Sequence, residues 1–168
     1  MMPPKLILVP IDFSESSQEA LEVATDMASR LGSSLLLVHI VPAIPDLPKD
    51  VSIFKEGEYD NELHQTASKQ LSDLATGLED RNLNVRTEVG TANDVGMELV
   101  RIAGHDDVDM IVIATHGMTG WRRIAFGSVA QKVVEQAACP VLVLRAKAGD
   151  HADESQAHSS SSRATTHG

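Results

Sequence analysis

Short apolar runs alternate with stretches of helical periodicity along most of this chain, and the alternation restricts the folds that it can adopt. Five such runs have the length of a strand: residues 6–9, 35–41, 85–89, 108–114 and 141–144. Apolar strands separated by helices indicate a parallel sheet that is covered by helices on both faces. The sequence therefore predicts one α/β domain over residues 1–146, built on a doubly wound five-stranded parallel sheet.

Four helical patterns fill the intervals between these runs, with apolar residues at spacings of three and four. Asp12 or Ser14 can cap the first helix, and Gly32 can end it. A loop that contains several prolines is expected at residues 42–60, before the second helix. The remaining helices are predicted at residues 63–78, 94–104 and 128–138.

The amino-acid composition indicates which cellular compartment and which kinds of partner to expect. A net charge of −10 repels phosphate backbones and anionic lipids, so we expect neither nucleic acid nor a membrane as the main partner. The lone cysteine, Cys139, permits no internal disulfide and suits a reducing cytosol. No apolar stretch approaches the roughly 18 residues that span a bilayer, so a cytoplasmic location is expected. The polar residues 147–168 are expected to form a disordered tail.

Several motifs of well-known enzymes are missing from the chain. It contains neither GxxxxGK(S/T) nor GxGxxG, and neither GxSxG nor HExxH. His39 and His116 invite acid–base chemistry, but a lone histidine beside an apolar strand is more often packed and hydrogen-bonded. Cys139, just before Pro140, is interpreted as a small buried hydrophobic residue. No catalytic residue is assigned, and a dedicated enzyme is not expected.

The loop after the fourth strand has features that suit an anion. Residues 114–128 contain three glycines and two arginines, and they end in Gly127-Ser128 at the start of a helix, with Ser128 as its expected N-cap. A helix N-terminus offers unpaired N–H groups and partial positive charge, and glycine lets a phosphate approach the backbone. In doubly wound sheets, ligands bind beyond the carboxyl ends of the strands, where the strand order reverses. The sequence thus predicts a phosphate cradle in this loop.

The same loop resembles the nucleotide motif of ATP-binding universal stress proteins, in which Gly, two residues, Gly, nine residues, and Gly-Ser or Gly-Thr follow one another. Gly117 and Gly127-Ser128 stand at the second and third positions, and Ala114 replaces the first glycine. Segments 9–14, 38–41 and 139–143 resemble the same family, so the similarity covers about residues 5–145.

This resemblance implies a sheet order of 3-2-1-4-5, ATP with Mg²⁺ or Mn²⁺ as the ligand, and a homodimer through the C-terminal strand. Asp12 would contact the ribose, the Ile40 backbone would meet the adenine, and the amides around Gly127 would hold the phosphates. The resemblance assigns no protein ligands to the metal ion. The full set of candidate nucleotide-binding residues is Pro10, Asp12, Ile40, Ala114, Thr115, His116, Gly117, Met118, Gly120, Arg123, Gly127, Ser128 and Val129.

Three functions remain open from the sequence. ATP could act as a ligand that sets the conformation of a stress-response regulator or its choice of an unknown protein partner. The chain could instead be a dimeric interaction module that has lost nucleotide, as the missing first glycine would favour, or a slow ATPase. At single positions, Asp12 could simply cap a helix, Gly117 and Gly120 could be turn glycines, and Arg122 and Arg123 could be solvated.

Overall fold

The computed structural model describes residues 2–43, 56–115 and 127–145, of which residues 56–60 are described by their backbone alone. Within these ranges, strands and helices alternate as β1 Leu6–Pro10, α1 Glu15–Leu31, β2 Ser34–Pro42, α2 Glu56–Glu79, β3 Val85–Ala92, α3 Val95–His105, β4 Met110–Thr115, α4 Ser128–Gln136 and β5 Val141–Arg145. The expected tail at 147–168 and most of the expected loop at 42–60 lie outside the described residues. Within the described ranges, no helix combines the length and the apolar character that crossing a membrane requires.

The five strands form one parallel sheet in the order β3-β2-β1-β4-β5. β1 lies at its centre, where Leu8 pairs with Leu36 of β2 on one side and with Ile111 of β4 on the other. The chain moves outward from β1 to β3 and then returns to start again at β4, so the order reverses between β1 and β4. The fold class and the strand order expected from the sequence are confirmed.

Different helices cover the two faces of the sheet. Because successive strand residues point to opposite faces, Ile7 and Val9 of β1 pack in one core cluster and Leu8 packs in the other. The first cluster includes Leu71 of α2 and small residues of α1, and the second includes Ile102 of α3 and residues of α4. The helices on the two faces therefore diverge from the reversal between β1 and β4, and a gap opens there.

Both ends of α1 use residues that the sequence marks as caps. Ser14, and not Asp12, is the N-cap of α1, since its Oγ accepts a hydrogen bond from the Ser17 N–H at 3.2 Å. Gly32 ends that helix in the left-handed region at φ 68°, where a side chain would be strained. Asp94 caps α3 with its carboxylate.

Three boundaries differ from those that the sequence predicts. α2 begins at Glu56, so its first turn extends into the segment that prolines and mixed charges mark as a loop. β4 begins at Met110 because the Val108 N–H donates to the Ala103 carbonyl oxygen at 3.0 Å and closes α3. α4 ends before Ala137, which is already extended at ψ 137°.

Asp109 joins the amino ends of the two central strands. Its Oδ2 accepts hydrogen bonds from the backbone N–H groups of Lys5 at 2.8 Å and of Leu6 at 3.0 Å. The Asp109 N–H in turn donates to the Leu6 carbonyl oxygen at 3.0 Å. The N–H group of Leu6, followed in size of effect by that of Lys5, stabilises the carboxylate and lowers the pKa of Asp109 below its ordinary value. This side chain ties β1 to β4 at the edge opposite the gap.

We expect Asp109→Ala to lower the urea midpoint of unfolding at neutral pH, because two N–H groups at the start of β1 lose a charged acceptor. The folded-state pKa lies below the unfolded-state value of about 4. The carboxylate therefore stabilises the fold above that pH, and this contribution is lost as the pH falls through the folded-state pKa. The difference in urea midpoint between the wild type and the variant should become smaller below about pH 4.

Asp26→Ala is the matched control, because it removes an exposed carboxylate that pairs with Arg30 inside α1. Exposed pairs of this kind contribute little to stability, so its urea midpoint should stay close to that of the wild type. Equal midpoints for the Asp109 variant and the wild type at pH 7 would contradict the role assigned to Asp109.

Candidate functional site

A cavity of about 250 Å³ lies at the carboxyl ends of the central strands, where the sheet order reverses between β1 and β4. Its walls come from the ends of β1, β2 and β4 and from the first turns of α1, α3 and α4. Most of the lining is apolar, and the polar members are Asp12, Ser16, Ser17, His39, Thr115 and Ser128. Doubly wound sheets place their ligands at this point of the topology.

Eight of the thirteen candidate nucleotide-binding residues line this cavity, and they come from four separate stretches of the chain. They are Pro10, Asp12, Ile40, Ala114, Thr115, Gly127, Ser128 and Val129. The other five candidates lie outside the described residues: His116, Gly117, Met118, Gly120 and Arg123.

The cavity also contains residues that the sequence did not assign to a site. Val95 and Leu99 lie four residues apart on α3, a spacing that predicts burial but does not show which element they face. Ser16 and Ser17 are buried although they are polar, with 7% and 6% of their surface exposed. Two consecutive serines just inside the start of a helix were a feature of the sequence that could have indicated a polar site. His39, which the sequence marked as a packed histidine, lines the cavity as well.

The turn between β1 and α1 carries the Asp12 carboxylate. Asp12 Oδ1 accepts hydrogen bonds from the Ser14 N–H at 3.0 Å and from the Ser14 Oγ at 2.5 Å. Ser14 caps α1, so Asp12 supports the cap from outside the helix. Between them, Phe13 has a φ of 63°, in the left-handed region that bulky residues rarely occupy.

His39 of β2 contacts this turn, although it lies 28 positions after Ile11 in the sequence. Its Nδ1 lies 2.7 Å from the Ile11 carbonyl oxygen. A carbonyl oxygen only accepts, so Nδ1 carries the hydrogen of this bond. The imidazole also packs against the Phe13 ring, with centroids 4.8 Å apart and planes inclined by 37°. The expectation that His39 is packed and hydrogen-bonded is confirmed.

The N-terminus of α4 forms the opposite wall of the cavity. Gly127, and not Ser128, is its N-cap, and no side chain in the described part of the chain caps it. Gly127 has φ −57° and ψ 151°, a conformation open to any residue, so its lack of a side chain is not needed for the backbone. Among the described residues, no atom lies within 4 Å of the place where a Cβ on Gly127 would stand. The glycine therefore leaves open space beside the backbone N–H groups that begin α4.

Ala114 occupies the position of the missing first glycine of the motif. It lies in β4, paired with Leu144 of β5, and it does not adopt a positive φ. Alanine therefore fits this backbone without strain, and its methyl group becomes part of the cavity wall. The next residue, Thr115, is buried and donates its hydroxyl hydrogen to the Leu144 carbonyl oxygen at 3.4 Å.

No metal cluster is found among the described residues, and the environment of Cys139 does not activate its thiol. In those ranges, no group of three or more His, Cys, Asp or Glu side chains could hold a metal ion. Burial raises the pKa of the half-buried Cys139 thiol, which disfavours the reactive thiolate.

The cavity thus offers three kinds of contact to a ligand. Apolar side chains such as Val38, Ile40 and Leu99 suit a flat uncharged ring. The Asp12 carboxylate accepts hydrogen bonds, as hydroxyl groups require. The start of α4 at Gly127, which no described side chain caps, suits an anion through its N–H groups and its helix dipole, even though the net charge of the whole chain is −10.

Comparisons with known proteins match most of the chain. The family model described as Universal stress protein family matches residues 4–145. The chain is 30% identical over 159 residues to universal stress protein MJ0577 of Methanocaldococcus jannaschii, covering 85% of this chain and 96% of that protein. A solved structure of MJ0577 superposes with a TM-score of 0.72 at 31% identity, covering 88% of this chain and 99% of the other.

Two further relatives agree with this result. Universal stress protein MJ0531 of the same organism is 33% identical over 143 residues, covering 84% of this chain and 82% of that protein. The structure of the universal stress protein from Archaeoglobus fulgidus in complex with dAMP shares the fold, with a TM-score of 0.57 at 21% identity and coverage of 85% and 98%. On the family match and these identities, the chain belongs to the universal stress protein family.

Proposed function

We propose that this chain is a cytoplasmic regulatory protein that binds ATP, together with Mg²⁺ or Mn²⁺, in the cavity between β1 and β4. The observation that carries the proposal is that two complementary groups face each other across the reversal of the sheet. The Asp12 carboxylate follows β1, the uncapped N-terminus of α4 begins at Gly127, and both line one cavity. Ribose hydroxyls need acceptors and phosphates need N–H donors, so the pair suits a nucleotide.

The remaining walls suit the adenine ring. Val38, Ile40 and Leu99 are nearly fully buried in the core and present apolar surface to the cavity. Ile40 lies near the end of β2, where its backbone groups can hydrogen-bond to the edge of a base. An aromatic ring between aliphatic side chains gains the burial of apolar surface that drives small-molecule binding.

The divalent cation would be held mainly by the phosphates. Mg²⁺ is often bound through substrate phosphates, one or two carboxylates and several waters, without a dedicated protein cage.

The relatives support an adenine nucleotide as the ligand class. The Archaeoglobus fulgidus protein, which has the same fold, is in complex with dAMP. A nucleotide-free interaction module remains the second candidate, because the Ala114 methyl group lies in the cavity wall where the motif has glycine. The two functions differ in whether the folded chain gains stability from ATP.

Differential scanning fluorimetry with millimolar ATP and Mg²⁺ tests the proposal. A ligand that binds the native state alone adds about 2.7 kcal/mol of stability at about 100 times its Kd. The Tm should therefore rise by several degrees, and hydrolysis can be followed in the same samples by phosphate release. A nucleotide that co-purifies with the protein under gentle conditions, identified by mass spectrometry, would support binding independently. No Tm shift and no bound nucleotide would favour the interaction module.

Gly127→Val should abolish ATP binding while the fold survives. The backbone angles at Gly127 allow valine, and a Cβ there meets no described atom within 4 Å, so the unfolding midpoint should change little. The branched side chain would occupy the space through which a phosphate reaches the start of α4. We expect the ATP-dependent Tm shift to disappear and the ATP-free Tm to stay within a few degrees of wild type.

Gly77→Val is the control for this change. Gly77 lies on the exposed side of α2 and also has open space around an added Cβ, but it does not line the cavity. Its ATP-dependent Tm shift should equal that of the wild type. Normal ATP binding by the Gly127 variant would show that the phosphates lie elsewhere.

We also propose a homodimer through β5. This strand lies at an edge of the sheet and pairs with β4 on one side. Its residues Val141, Leu142, Val143 and Leu144 are all apolar and only half-buried. Apolar edge strands tend to pair with another chain. Sedimentation velocity at micromolar concentration should give the mass of a dimer, and a Val143→Lys variant should sediment as a monomer. A monomeric wild type would contradict this interface.

A further inference from the structure

We infer that His39 is a positioning residue that orients the Asp12 carboxylate toward the nucleotide, by clamping the turn on both sides of Asp12. The inference rests on the proposed function, because it assigns a role within the same site. The residue concerned is His39 of β2, whose imidazole acts on the site through its contacts with the turn.

The first contact lies immediately before Asp12. His39 Nδ1 donates to the Ile11 carbonyl oxygen at 2.7 Å, and the Ile11 N–H donates to the Val38 carbonyl oxygen at 2.8 Å. The end of β1 is therefore held to β2 on both backbone groups of Ile11. The side-chain bond extends this attachment beyond the last residue of β1, which is Pro10.

The second contact lies immediately after Asp12. The Phe13 ring packs on the imidazole at 4.8 Å, and the Phe13 backbone has a φ of 63°. A bulky residue in the left-handed region is unfavourable by itself and persists where surrounding contacts hold it. The packing of the imidazole on the Phe13 ring is such a contact, since His39 belongs to a strand and lies 26 positions after Phe13 in the sequence.

The two contacts bear on the carboxylate because Asp12 also bonds to the next residue but one in the same turn. Asp12 Oδ1 accepts from the N–H and the Oγ of Ser14, which follows Phe13 directly. If the Phe13 backbone leaves the left-handed region, Ser14 moves relative to Asp12 and these bonds change. The imidazole thus contacts the chain on both sides of Asp12, within the segment that carries the acidic group of the cavity.

Two substitutions separate the two contacts. His39→Phe keeps an aromatic ring but removes the donor to Ile11, and His39→Asn keeps a donor near the Nδ1 position but removes the ring. Loss of one hydrogen bond should weaken ATP binding by about three- to tenfold in isothermal titration calorimetry. His39→Asn should recover part of that loss, whereas His39→Ala should lose at least as much as His39→Phe.

A double-mutant cycle with Asp12→Ala distinguishes positioning from direct contact. If His39 acts through Asp12, His39→Phe should cause no further loss of affinity in the Asp12→Ala background. If the imidazole instead binds the ligand itself, the two losses should add, and that result would overturn the inference. Unchanged affinity in His39→Phe alone would overturn it equally.

His64→Phe is the matched control. His64 on α2 also makes one side-chain hydrogen bond through its ring, to Thr91 Oγ1 of β3, but it does not line the cavity. Its affinity for ATP should equal that of the wild type. This control separates a specific effect of His39 from the general effect of replacing a strand-contacting histidine.

A ligand-free measurement keeps the inference testable if the wild type binds no adenine nucleotide. Amide hydrogen exchange at the Ser14 N–H, which bonds to Asp12 Oδ1, reports the geometry of the turn directly. Exchange should be several-fold faster in His39→Phe than in wild type and unchanged in His64→Phe. Absence of ATP binding with this pattern would refute the proposed function alone, and unchanged exchange in His39→Phe would refute the positioning role.

Discussion

The parallel pairing of β1 with β4 is the constraint on which the rest of the molecule depends. It places two strands side by side whose following helices lie on opposite faces of the sheet. The connections that leave these strands must diverge, and the cavity lies between them. Asp109 supports the pairing at the other edge, where one carboxylate bonds to two N–H groups of the neighbouring strand. The site is thus a consequence of topology before any side chain is considered.

The two polar walls of the cavity are built in different ways. The start of α4 would attract an anion through backbone N–H groups and the dipole of a nine-residue helix, both of which are local properties. This explains how an anion site can exist in a chain with a net charge of −10. Alanine is compatible with position 114 for a separate reason, because a strand residue without a positive φ can present its backbone with or without a methyl group.

The turn that carries Asp12 combines local hydrogen bonds with contacts from a distant strand. A phenylalanine at φ 63° opposes the intrinsic preference of its backbone, and the imidazole of His39 reaches it from another strand. Conformations of this kind persist where tertiary contacts outweigh local preference, and they often occur at functional sites. Ser14 connects the helix with the turn, because it caps α1 and also hydrogen-bonds to Asp12. The acidic wall of the cavity therefore depends on long-range packing.

The sequence by itself determined the order of strands and helices, the α/β class, the Gly32 helix end and the stretches that line the cavity, because apolar spacing and capping chemistry are local. The tertiary structure decided that Ser14 and Gly127 are the caps, that Val95 and Leu99 wall the cavity, and that His39 clamps Ile11 and Phe13. The physical reason is that periodicity records which side of an element is buried but not which element buries it. Contacts between residues as distant as His39 and Ile11, 28 positions apart, exist only once the order and register of the sheet are set.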